Sequence, residues 1–130
     1  MEKAYIEEFS RDGHSFMFCD WTGVETVDEL RERIEQSKEV VAKYPENSLS
    51  IITDVEGFKF DSKYKSIIID YLEHNRPYVK FGILVGCDGV TKLMVRTLLA
   101  ISKRKNVDFS YTIEQAIEWV LENARKPEDI

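Results

Sequence analysis

The 130 residues suffice for one domain, and 43% apolar with 32% charged residues describes a chain able to bury its own core, which excludes a disordered segment. Eighteen Lys and Arg against twenty-four Asp and Glu leave a net charge of -6, which opposes binding to nucleic acid or anionic membrane except where cations gather locally. Cys19 and Cys87 are too few for a disulfide framework, the first residues show no signal-peptide pattern, and no apolar stretch reaches membrane-spanning length, so a cytoplasmic protein that does not span a membrane is expected.

In chain order, residues 5–9 and 15–19 flank Arg11-Asp12-Gly13, where Asp-Gly supplies the positive φ of a tight turn, and predict an antiparallel hairpin. Thr26-Val27-Asp28-Glu29 reads as a capping box, followed by an apolar stripe of Val27, Leu30, Ile34, Val41 and Tyr44 that stops at Pro45 and Asn47. Residues 49–54 form a short apolar run suited to an interior parallel strand, broken by Gly57. Asp61 or Ser62 then caps a second helix with Tyr64, Ile67, Ile68, Tyr71 and Leu72 on one side, stopped by Asn75-Arg76-Pro77. Residues 79–85 repeat the interior-strand pattern. Gly86 and Asp88-Gly89 lead into a third helix whose stripe is read as Val90, Leu93, Met94, Leu98 and Ile101, with Lys103, Arg104 and Lys105 complementing its C-terminal dipole. A brief strand at 107–109 and a second capping box, Thr112-Ile113-Glu114-Gln115, precede a last helix with Ile113, Ala116, Ile117, Val120 and Leu121 inside. A hairpin followed by alternating strands and helices predicts one α/β domain over residues 1–126, with a mostly parallel mixed sheet, about four helices and a short tail at 127–130.

Asp54-Val55-Glu56-Gly57-Phe58-Lys59-Phe60-Asp61-Ser62 resembles the corresponding stretch of the STAS fold, the domain of bacterial anti-sigma-factor antagonists. With Asp20-Trp21-Thr22-Gly23, residues 48–57, His74-Asn75-Arg76-Pro77-Tyr78-Val79-Lys80, residues 86–92 and residues 109–119, nearly the whole chain is similar to the SpoIIAA-like, or STAS/SEC14-like, branch. The resemblance implies a non-enzymatic binding or regulatory module, working by protein–protein contact in bacterial-type signalling, or alternatively a carrier of a small lipid or nucleotide, with no cofactor. In signalling STAS domains an Asp-Ser-Ser-Gly-like sequence opens the helix after the central strand, and its second Ser is phosphorylated. Here the residues are Asp61-Ser62-Lys63-Tyr64, so Lys63 replaces that Ser and the switch is not carried over. Ser62 remains either a shifted acceptor or a helix cap.

The residues implied for partner or ligand binding are Asp54, Gly57, Phe58, Phe60, Asp61, Ser62 and Lys63, together with Gly86, Asp88 and Gly89. The last three lie between strand and helix, where backbone N–H groups bind anions; the Walker spacing is absent and Asp88 opposes an anion, so a turn with a cap is the other reading. Lys92, Arg96, Lys103 and Arg104 form a basic face suited to an acidic partner, phospholipid headgroups or nucleic acid, or simply to solvent. His14, His74, Cys19 and Cys87 lack metal-ligand spacing, so no metal site is expected. Ser62, His74 and Asp54 lack the nucleophile elbow of a triad enzyme, and no catalytic residue is assigned. Lys80, in an apolar strand, is either a desolvated base or paired with Asp54 or Asp20. Trp21, Phe58 and Phe60 are placed in loops at the strand ends, where open α/β sheets form a ligand crevice. Homo-oligomerisation stays open.

Overall fold

The computed structural model describes residues 4–101 and 106–124. Among these, five strands form one sheet: β1 (Ile6–Arg11), β2 (His14–Asp20), β3 (Leu49–Asp54), β4 (Val79–Val85) and β5 (Val107–Ser110). The helices are α1 (Val27–Val41), α2 (Lys65–Asn75), α3 (Gly89–Ile101) and α4 (Ile113–Ala124), with one 3-10 turn at Ser62–Tyr64. The expected single α/β domain with a mixed sheet and four helices is therefore present. None of these helices is long and apolar enough to cross a membrane.

The hairpin forms where Asp12 and Gly13 both take positive φ, 53° and 80°, the pair a two-residue turn needs to match strand twist. It fixes β1 antiparallel to β2, while β2, β3, β4 and β5 run parallel in that spatial order. Strand order equals chain order, and right-handed crossovers then carry α1, α2 and α3 to one face. On that face Met17, Cys19 and Ile51 meet Leu30, Ile34, Ile68, Tyr71, Val95 and Leu99. The other face, bearing Phe16, Ile52, Ile83 and Val85, is covered by Ala116, Ile117 and Val120 of α4. β3, at the centre, is buried on both sides, as its unbroken apolar run requires.

Both capping boxes form, with a local variation. Thr26 accepts from the Glu29 N–H at 3.1 Å, but the Glu29 carboxylate takes the Thr26 hydroxyl rather than a backbone N–H. Thr112 accepts from the Gln115 N–H at 3.1 Å, and Gln115 reaches back one residue further, to the N–H of Tyr111.

Four expectations are corrected. Helix α1 ends at Val41, so Tyr44 packs from the following turn. On α3 the buried side chains are Thr91, Val95 and Leu99, whereas Val90, Leu93 and Met94 face outward and Leu98 is half-buried. That helix has apolar residues on a second side, Val90, Leu93 and Met94, besides the side with Val95 and Leu99, so spacing alone does not select which one docks on the sheet. Ile113 is likewise exposed at the start of α4. Lys80 sits at a bulge: Leu49 faces Val79 while Ser50 faces Phe81, which removes Lys80 from the strand alternation.

Candidate functional site

The loop after β3 folds inward rather than out. Gly57, at φ 75°, turns the chain, the Phe58 N–H closes onto the Val55 carbonyl at 2.9 Å, and Phe58 and Phe60 enter the core. Phe58 lies edge-on to Trp21 at 5.6 Å between ring centres and to Phe60 at 4.7 Å, and tilts against Tyr64 at 5.0 Å. Trp21, Phe58 and Phe60 are therefore buried rather than exposed in loops; Trp21 and Phe60 still border pockets, whereas Phe58 is a packing residue, and no crevice of the strand-end kind forms. A crevice opens where strand order reverses, and this sheet has no reversal. Its strand ends are instead laced together, Trp21 N–H to Asp54 O, Val55 N–H to Val85 O, and Gly86 N–H to Ser110 O, at 2.9, 2.9 and 3.2 Å.

The polar candidates divide into those used internally and those left open. The Asp54 carboxylate accepts from the Glu56 N–H at 3.0 Å and Asp20 accepts from the Thr22 N–H and hydroxyl, so neither pairs with Lys80. The Lys80 ammonium lies 5.9 Å from the Phe81 ring, and its carbonyl accepts from Asn106. Asp61, not Ser62, caps the 3-10 turn, accepting from the Lys63 N–H at 3.4 Å; the exposed Ser62 hydroxyl donates to the same carboxylate at 3.2 Å. Lys63 reaches the Glu25 carbonyl at 3.1 Å and lies 5.0 Å from the Tyr64 ring. Lys63 is thus a strut between the turn at Ser62–Tyr64 and the loop at Glu25. His74 meets the Asn75 side chain, so Ser62, His74 and Asp54 each have partners outside a triad.

Gly86 takes φ 79°, and a Cβ there would lie 3.0 Å from Glu56 Cβ, so glycine is required by both conformation and space. Asp88 accepts from the Thr91 N–H at 2.7 Å, an interaction that holds its carboxyl below the usual carboxylate range. The α3 terminus thus carries its own anion, and an exogenous one there is disfavoured. Gly89 has open space beside it. The two described members of the basic face are turned toward β5: Lys92 lies 5.6 Å from the Phe109 ring and 5.2 Å from Tyr111, and the Arg96 guanidinium 5.3 Å from Phe109. Lys103 and Arg104 lie outside the described residues.

A surface groove of about 210 Å³ runs between the turn before α2 and the outer side of α3, lined by Phe60, Asp61, Ser62, Lys65, Met94 and Leu98. Beside it α3 exposes 74% of Val90 and 68% of Leu93, and Tyr111, 80% exposed, follows the adjacent strand β5. Every large apolar side chain exposed among the described residues falls between positions 90 and 113. The solution NMR structure of the protein TM1081 matches this fold with a TM-score of 0.59 at 16% identity, over 97% of this chain and 93% of that one. No family model and no curated protein matches the chain. The likeness shows a shared α/β architecture.

A buried polar cluster was not among the expectations from sequence. The hydroxyls of Ser37 and Tyr71 are hydrogen-bonded in the core beside the Cys19 thiol, which burial pushes up to about 12; burial likewise raises Tyr71. Arg33, only 6% exposed, donates to the carbonyls of Asp20 and Thr22 at 3.1 and 2.6 Å and covers the Tyr5 ring. Both Arg33 and Ser37 fall on the stripe defined by Leu30, Ile34 and Val41, a signal available from spacing.

Proposed function

We propose that this chain is a STAS-like, non-enzymatic binding module of bacterial-type cytoplasmic signalling that docks a protein partner in the groove between the Asp61–Tyr64 turn and α3. One observation carries the reading: a row of exposed apolar side chains, Val90, Leu93 and Met94, borders a groove that includes Asp61, Ser62 and Lys65. Apolar side chains gathered at one corner with a polar rim are what a partner buries. The whole-chain likeness to TM1081 and the segments that resemble STAS domains support the architecture of the reading. Lys63, a strut rather than an acceptor, makes occupancy depend on partner concentration instead of phosphorylation.

The experiment is affinity capture from the native host followed by binding measurements with Leu93→Asp and Met94→Asp. Each should weaken the captured partner about thirtyfold, the scale of an interface anchor, with melting unchanged. Full retention of binding by both variants refutes the reading. Light scattering separates a second copy of the chain from a different partner.

A further inference from the structure

We propose that the space enclosed by α2, α3 and the sheet is a binding site for a slender, unbranched aliphatic molecule bearing one neutral hydrogen-bond acceptor. Three independent features point there. First, an apolar cavity of about 80 Å³ lies between Ile51 and Leu84 of the sheet and Ile68, Val95 and Leu98 of the helices. It shares Phe60, Ile68 and Leu98 with the surface groove, so these three side chains stand between the cavity and the surface. Helix α3 approaches its neighbours more sparsely than α1 or α4 does, which leaves the gap.

Second, the sheet side of the cavity wall includes Gly82, in the middle of β4. Glycine weakens a strand interior, and it commonly marks a bend, a bulge or a place where a ligand approaches the backbone. Here the bulge lies two residues away, at Lys80, and Gly82 has no positive φ to justify it. A Cβ at this position would meet only the Val107 side chain at 3.5 Å, an ordinary contact. Packing therefore does not demand a glycine, and its absence of side chain leaves the cavity open.

Third, Trp21 is a wall residue whose buried indole N–H has no acceptor among the described residues. A buried donor left without a partner is rare and calls for an unseen acceptor. Water is a poor candidate, since it needs two to four polar partners. The other polar side chains at the wall are Thr53, Tyr71 and Asn75, already engaged with Cys19, Ser37 and His74 respectively.

Size and wall chemistry define the ligand. The cavity is about half the roughly 150 Å³ that accommodates benzene, so about three carbon atoms of an extended chain fill it, and a longer chain must pass between Phe60, Ile68 and Leu98 toward the groove. An aromatic ring is too wide, and a charged group at the inner end would be stranded among apolar walls. An alcohol, ketone or ester oxygen can accept from Trp21 without that cost. Gly82 and Trp21 line the cavity and not the groove, so substitutions there test the cavity separately from partner docking.

The test is titration of the full chain with 1-butanol, 1-hexanol and 1-octanol while following the two indole N–H signals by ¹⁵N–¹H NMR, assigned with Trp21→Phe. The Trp21 signal should move saturably while that of Trp119, on the opposite face, stays fixed. Affinity should rise about fourfold per added methylene until the space is full. Trp21→Phe, followed by calorimetry, should weaken 1-octanol about fivefold by deleting one hydrogen bond. Gly82→Val should abolish the response, and Gly82→Ala, which meets only Val107, keeps the test valid if the valine variant fails to fold. A motionless Trp21 signal at every alcohol concentration, or undiminished binding by the Gly82 variants, overturns the proposal.

Discussion

Replacing Phe58 by alanine separates the two roles open to the segment after β3. As a surface contact Phe58 would contribute nothing to stability; as a core residue it is costly to remove. The side chain is 3% exposed and contacts three aromatic rings, Trp21, Phe60 and Tyr64, at 4.7 to 5.6 Å between centres. Truncating a buried phenylalanine costs about 3–5 kcal/mol, and each lost ring pair accounts for about 0.5–1.5 kcal/mol of that. A domain of this kind has about 5–15 kcal/mol in total, so Phe58→Ala should survive as a folded but weakened protein. Urea unfolding followed by circular dichroism should show a lower midpoint at unchanged slope, and melting should fall by about 10–20 °C. Leu93→Ala on the exposed side of α3 is the matched control and should shift stability by less than about 0.5 kcal/mol. A Phe58→Ala loss below about 1 kcal/mol would refute the assignment of this loop to the core.

Three other outcomes follow from the geometry. Gly86→Ala combines a positive φ with a close approach to Glu56 and should cost about 2–4 kcal/mol, whereas Gly57→Ala, with open space, should cost about 1–2 kcal/mol by chemical denaturation. The Asp88 carboxyl is held below its ordinary 3.8 by the Thr91 N–H, so its contribution is complete above that value and lost as pH falls through the lower folded value. Asp88→Asn, which caps without titrating, should flatten the acid limb of melting temperature against pH. The thiols of Cys19 and Cys87 are pushed by burial to about 12 and about 11, from 9.0. Each proton is retained in the folded state, so stability should decline as pH rises above 9. Iodoacetamide at pH 8 should label neither quickly, and Cys87 before Cys19; rapid labelling of Cys19 in peptide maps would contradict the packing.

Local chemistry made much of this fold readable. The ranges of β3 and β4 were visible to the residue because apolar runs sit between turn formers, and Asp12-Gly13, Thr26 and Thr112 announced the hairpin and two helix starts. What stayed hidden depended on contacts distant in sequence. Phe58 and Phe60 carry no periodic signal, and only their meeting with Trp21 and Tyr64 shows that the loop turns inward. The docked face of α3 was illegible for the opposite reason, an excess of apolar positions. For the site, Asp61 and Ser62 were found at the groove by resemblance, but its other wall, Met94 and Leu98, had been assigned to the core. Gly82 in the sequence marks an irregularity in a strand without saying whether it is a bend, a bulge or a gap; the space above it decides.

The identity of strand order with chain order bears on how the protein assembles. Each parallel strand pairs with the one before it, across a single helix, so no strand must wait for a distant partner and no segment has to thread past one already placed. A chain emerging from a ribosome can add β3 to the hairpin, then β4, then β5, extending one growing edge. Any partial sheet built in that order is a shortened version of the final one, and the helix that covers the far face, α4, comes last in the chain to close it.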